Sequence, residues 1–299
     1  MSDTLQRFLF ENAAIRGEVI QLDSSWQAVI EKHDYPTPVK HLLGEMLSAV
    51  VLLSATLKFS GKLSLQLQGS GPVSMMIAEC TTGQENEVRH IRGIAHYSDV
   101  AAADNLKELV GEGHLVMNLE PMGVVSKEKE RYQSIVELVG DSLSDALGNY
   151  LVHSEQLDTQ LWLASDAQRC GGLLIQRLPA NDEIKDQDAW ERVHQLSATI
   201  KDDELLNLDA EGIIHRLYHE EDIRLFDKEP LKFYCSCSRE RVATMLRSLG
   251  HHEVKSIIAE QGSVAVACEF CNQNYEYDAV DAEQLFSVAI TPSSSDTQH

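Results

Sequence analysis

Leu63, Leu65 and Leu67 alternate with Ser64 and Gln66, and Val73, Met75 and Ile77 repeat the pattern after the Gly69-Ser70-Gly71-Pro72 turn. A period of two puts the apolar side chains on one face, so the pattern predicts paired strands with one buried side. Related signals near 88–96, 114–120, 131–138, 159–164 and 169–178 predict further strands. Helical spacing appears elsewhere. Leu22-Asp23-Ser24 precedes Trp26, Val29 and Ile30, which fits an N-capped helix with an apolar stripe. Pro38 opens a second helix through Met46 and Leu53 toward Lys58, and a third is expected over Ser142 to His153. Strands outnumber helices and several are joined by hairpin-length turns. The expectation for residues 1–180 is an α+β core domain, mixed in content, with a largely antiparallel sheet.

At Pro179 the pattern changes. Through Pro230 there are 15 Asp and Glu against 6 Lys and Arg, a net of -9, and no strand pattern is seen. Trp190, Val193, Ile200, Leu206, Ile213, Ile214 and Leu217 recur at helical spacing. Residues 181–230 therefore read as an acidic helical linker whose thin stripes are marginal unless docked. From 231 to 287 a small α+β domain is expected. Val242, Met245, Leu246 and Leu249 mark a helix ended by Gly250, and Val254, Ile257 and Ile258 a second ended by Gly262. Val264 and Val266, then Tyr275 and Tyr277, alternate as a short hairpin. The polar end, 288–299, reads as a disordered tail.

Charge narrows the partners. With 47 acidic and 25 basic residues the net charge is -22, which disfavours nucleic acid and anionic membranes as partners. The apolar run Met46 to Leu57 is shorter than the roughly 20 residues a spanning helix needs, so it reads as a buried helix. Asp3, Arg7, Glu11 and Arg16 interrupt the N-terminus, which does not look like an export signal. A cytoplasmic, reducing location is expected, where cysteines serve as thiols, metal ligands or redox sensors.

The candidate chemistry lies in Cys235-Ser-Cys237, thirty intervening residues, and Cys268-Glu-Phe-Cys271. Two close pairs supply four thiolates, the number and softness that a single tetrahedral Zn²⁺ prefers. A domain of this size has a marginal core, and metal binding can supply about 10–16 kcal/mol of apparent folding energy in comparable peptides. A thioredoxin-like dithiol would explain Cys268 and Cys271 but leaves Cys235 and Cys237 without a role. A nucleic-acid-binding ribbon is disfavoured by 9 acidic against 5 basic residues from 231 onward. Catalytic zinc needs an open position, which four cysteines do not leave. If each close pair were to bridge on itself, the rings would be very small and would not replace the tie between residues 235–237 and 268–271. Cys80 and Cys170 sit beside strand patterns and read as buried small hydrophobes. His251 and His252 read as surface residues rather than ligands.

The chain resembles the bacterial 33-kDa redox-regulated heat-shock chaperone family over nearly its full length. The resemblance rests on the C-x-C…C-x-x-C array, the acidic stretch before it, Cys170-Gly-Gly-Leu-Leu-Ile-Gln176 and Tyr132-Gln-Ser-Ile-Val-Glu-Leu138. It implies an ATP-independent holdase, not an enzyme, that is inactive when reduced and zinc-bound. It further implies oxidation to two local disulfides, Cys235–Cys237 and Cys268–Cys271, with loss of zinc and unfolding of the switch domain and linker. The oxidised form would dimerise and capture unfolding client proteins. Two other readings stay open at this point: a thiol-disulfide oxidoreductase, and a zinc-stabilised interaction module without redox switching.

Overall fold

The computed structural model describes residues 3–57, 60–83, 88–98, 100, 105–121, 132–179, 186 and 188–287. The tail expected to be disordered, 288–299, lies outside them. The chain forms two compact units, Met1–Tyr234 and Cys235–His299.

In the first unit, strands β1 (Thr4–Phe10) and β2 (Ile15–Leu22) precede helices α1 (Ser24–Ile30) and α2 (Thr37–Thr56). Strands β3 (Gly61–Gly69), β4 (Val73–Thr82) and β5 (Arg89–Tyr97) follow, then α3 (Leu106–Val110), β6 (Gly113–Pro121) and β7 (Tyr132–Glu137). Next come α4 (Leu143–His153), β8 (Thr159–Ser165) and β9 (Cys170–Arg177), then helices α5 (Ala189–Ser197), α6 (Asp202–Asn207) and α7 (Ala210–Tyr218). The unit ends with β10 (Ile223–Leu225) and β11 (Glu229–Phe233). One sheet runs β7-β6-β3-β4-β5-β11-β1-β2-β9-β8, with β10 on β1. Its pairings are antiparallel except β11 with β5.

The apolar run from Met46 is buried through Ala55 as the second half of α2, and Leu57 at its end lies beyond the helix and is exposed. That helix is apolar nearly all round, with buried residues from Val39 to Ala55 on every face, and such a helix is stable only when enclosed. It packs against β2, β3, β4, β5, β8 and β9, and α4 packs on both outermost strands, β7 and β8. Among the described residues α2 is the one helix long and apolar enough to cross a membrane, and most of it is buried in the core. Ser142 and Asp145 form the capping box that starts α4. Asp3 performs a similar service for α1 from a distance. Its carboxylate accepts from the Asp23 and Ser25 backbone N–H groups at 2.6 and 2.8 Å.

The sheet has a second covered face. Phe8, Phe10, Ile15, Val19, Leu173 and Ile175 turn away from α2 and pack against Val193, Leu205, Leu206, Ile213, Ile214 and Leu217 of α5 to α7. The Phe8 ring lies flat over Gly17, its register partner, where a Cβ would stand 2.0 Å from the ring. The charged side of the helical layer is stitched by Arg192 to Glu221 at 2.7 Å and by Arg216 to Glu204 at 2.9 Å.

The stretch Pro179–Pro230 is not free of strands, contrary to the sequence expectation. β10 lies within it and β11 starts there. Both are very short, and β11 carries Pro230, so neither offers enough alternation to register. β1 and β2 also escape the pattern, because both of their faces are buried.

Candidate metal centre

In the second unit, α8 (Arg239–Leu249) and α9 (His251–Gln261) precede the hairpin of β12 (Val264–Ala267) and β13 (Asn274–Tyr277), and α10 (Ala279–Ser287) closes the unit. The two helices and the hairpin fall where the periodicity predicts them. Gly250 and Gly262, at φ 102° and 85°, take the backbone conformation that ends each helix. Ala243, Leu246, Val254, Val264, Tyr277, Ala282 and Leu285 form the buried cluster, a thin core for a unit of this length.

Cys235 and Cys237 lie just before α8, whose first turn is capped by Ser238 Oγ accepting from Arg241 N–H at 3.2 Å. Cys268 and Cys271 occupy the turn between β12 and β13. That turn is fixed by Cys268 N–H donating to Gln273 O at 2.9 Å and Asn272 N–H donating to Cys268 O at 2.7 Å. Asn272 is left-handed at φ 53°, which Asn tolerates better than most residues. Arg239 ties the pieces together: its guanidinium stacks 4.3 Å from the Tyr277 ring centre and pairs with Asp281 at 2.8 Å.

The four sulfurs that the sequence nominates come together. Their Sγ atoms all lie within 4.8 Å of one another, with Cys235–Cys268 at 3.6 Å and Cys237–Cys271 at 3.4 Å. Tetrahedral coordination at about 2.3 Å per bond requires sulfurs about 3.8 Å apart, so the arrangement fits one tetrahedral ion. Burial and the neighbouring sulfurs push the Cys271 thiol above its ordinary range, an effect that a bound dication would reverse. Tyr275 OH donates to Cys237 Sγ at 3.1 Å. Alternation along β13 predicts Tyr275 as a strand residue and gives no hint of that contact.

The other candidates lie elsewhere. Cys80 and Cys170 are buried in the core of the first unit, as expected, and burial pushes both thiols up. His251 stands 3.8 Å from Glu283 and stacks on Phe286, and neither His251 nor His252 joins the sulfur cluster.

The chain is similar to known proteins over nearly its full length. The family model described as Hsp33 protein matches residues 3–278. The 33 kDa chaperonin of Methylobacillus flagellatus is 43% identical over 300 residues, covering 100% of this chain and 99% of the relative. That of Pseudomonas aeruginosa is 45% identical over 305 residues, with the same coverage. The crystal structure of the 33 kDa chaperonin of Thermotoga maritima shares the fold, with a TM-score of 0.78 at 20% identity, over 96% of this chain and 99% of that one. A full-length sequence match and a shared fold place this chain in the Hsp33 protein family, a family of chaperones rather than of enzymes.

Proposed function

We propose that the protein is a redox-switched, ATP-independent holdase of the cytoplasm, and that Cys235, Cys237, Cys268 and Cys271 are its switch. The observation that carries this reading is the gathering of four sulfurs from two separate segments within 4.8 Å. Zn²⁺ is the ion that best suits four thiolates in a tetrahedron, and when bound it would hold the sulfurs deprotonated and supply folding energy to residues 231–287. The four cysteines are only partly buried, so an oxidant can reach them. Each local pair of thiolates, Cys235–Cys237 and Cys268–Cys271, would pass two electrons to an oxidant such as hypochlorous acid, which is reduced to chloride and hydroxide, and would form its disulfide as Zn²⁺ leaves. The segments 235–237 and 268–271 would then share no tie, and the thin core around Leu246 and Val254 would not hold alone. Within the linker of residues 181–230, the helices α5 to α7, docked through a narrow apolar stripe, would be the next to open. The core domain of residues 1–180 would remain, and the opened protein would pair with a second copy and hold unfolding clients.

The test joins three readouts on protein purified under reducing conditions. One zinc per chain is expected, its release on treatment with hypochlorous acid should track thiol loss, and suppression of client aggregation should appear only afterwards. Turnover of a dithiol substrate without zinc would favour an oxidoreductase. Retention of zinc under oxidant would favour an interaction module.

Two sulfur contacts, at 3.4 and 3.6 Å, run between the two pairs, joining Cys237 to Cys271 and Cys235 to Cys268. Bridging in that sense would lock the unit closed. Peptide mapping of the oxidised chain decides between the two connectivities, and cross-pair bridges would refute the opening step.

A further inference from the structure

The long sheet is continuous only through β11. On one side Leu231, Lys232 and Phe233 stand opposite Arg89, His90 and Ile91 of β5 in parallel register. On the other, Glu229 and Pro230 stand opposite Leu5 and Thr4 of β1 in antiparallel register. Leu231 N–H donates to Asp3 O at 3.0 Å, Phe233 N–H to Ser25 Oγ at 3.0 Å, and Tyr234 N–H just beyond it to Ile91 O at 3.1 Å. Leu231 is buried in the main core. Two residues earlier, the Glu229 carboxylate lies 2.5 Å from Arg7 Nη2 and 2.8 Å from Arg89 Nε.

These contacts describe a recognition site rather than a simple connector. Two strand edges offer backbone hydrogen bonds, the core offers one apolar socket, and two guanidiniums offer a clamp for a carboxylate. β11 is five residues long and includes Pro230, which has no N–H to give, so it holds its place with few bonds. Without it, β5 and the start of β1 at Thr4 and Leu5 would be open edges, the rest of β1 staying paired with β10, and open edges are the surface that extended peptides join by strand addition. Arg7 and Arg89 would lose the carboxylate that pairs with both of them.

We propose that β11 is the built-in occupant of a peptide slot, and that an extended segment with a carboxylate two residues before an aliphatic side chain can replace it. Identifying that segment as part of a client rests on the chaperone reading above. The slot itself does not. Phe233 stands two residues before Cys235 in the chain, so the strand is in a position to leave when order at the cysteines is lost.

The experiment uses the full chain, reduced and supplied with zinc, and needs no oxidation. The probe is a dye-labelled octapeptide with the sequence of residues 227–234, Asp-Lys-Glu-Pro-Leu-Lys-Phe-Tyr, followed by fluorescence anisotropy. In the double variant E229K with L231S, β11 should give up the slot, and the probe should bind at least about ten-fold tighter than to the parent chain. Replacing Glu by Lys in the probe should cost a similar factor, and Arg89→Glu in the double variant should return it. Equal binding of a scrambled probe, or no binding to a variant that keeps a cooperative thermal transition, would overturn the proposal. Should the double variant fail to fold, Leu231→Ala decides: affinity above the parent supports the slot, and parental affinity overturns it. Aggregation suppression by the oxidised parent chain is scored separately, so a failed chaperone reading and a failed slot give different results.

Discussion

Tyr275 donates its phenolic hydrogen to Cys237 Sγ across 3.1 Å, linking β13 of the hairpin to the cysteine pair that precedes α8. A hydrogen bond to sulfur draws electron density from it, so Cys237 should be a slower nucleophile than its partners. Partners of this kind around metal ligands typically tune affinity by about 10–100-fold. Tyr275→Phe is therefore expected to weaken zinc binding by about ten-fold and to speed loss of the Cys235 and Cys237 thiols relative to Cys268 and Cys271. Competition with a chromogenic chelator reads the first effect, and time-resolved alkylation with mass spectrometry reads the second. Unchanged rates at all four sulfurs would show that the contact is only packing.

Glu18 sits on β2, fully buried, and burial raises its carboxyl from an ordinary value near 4.5 to about 7 against the pull of Arg16, Arg7 and Arg89. A carboxyl raised in the folded state favours the neutral form. Its contribution is complete below about pH 4.5 and is lost as pH rises through 7. The shift corresponds to about 3 kcal/mol lost between those limits. Glu18→Gln removes the titration. Urea midpoints should match the parent's pH trend less steeply, with the variant gaining on the parent between pH 5 and pH 8. A constant offset across that range would assign the strain to something other than ionisation.

Ile213 on α7 is fully buried between the helical layer and the outer face of the sheet, beside Phe8, Ile175 and Val193. Ile213→Ala removes three heavy atoms from that interface and should cost about 2–4 kcal/mol. The loss should fall on α5 to α7 first, because α2 is held by a separate cluster of buried residues. Hydrogen exchange would show faster exchange over residues 189–218 and unchanged protection over 39–55. If both regions loosen together, the helical layer is not a separable part of the core.

Legibility followed how local the cause was. α8, α9, β12 and β13 could be read from spacing because each is set by its own few residues and a terminal glycine or turn. The four cysteines could be read because sulfur at those spacings has few other uses. β1 and β2 could not, since Leu5 faces α2 while Phe8 and Phe10 face the helical layer, and burial on both sides erases alternation. β11 was hidden for another reason. Glu229 and Arg89 meet across 140 residues, and nothing within either segment announces the other. Tyr275 was legible as a strand residue but not as a partner for sulfur, because a tyrosine on a buried face looks the same whichever group its hydroxyl meets.

Removing the metal should separate the two units by stability. Residues 235–287 bury only a small apolar cluster, and Arg239 at the start of α8 joins Tyr277 of the hairpin and Asp281 of α10 through partly exposed contacts of modest worth. Zinc held by four thiolates contributes about 10–16 kcal/mol of apparent folding energy in small peptides, more than such a core can replace. Treating the reduced chain with a high-affinity chelator should therefore abolish amide protection over α8 and α9. The α2 segment, enclosed by the sheet in the first unit, should keep its protection throughout. Adding back one equivalent of zinc under reducing conditions should restore the lost signal, whereas Cys237→Ser should restore it poorly. A second unit that stays protected without metal would mean that its apolar cluster suffices, and the sulfur cluster could not then act as the switch.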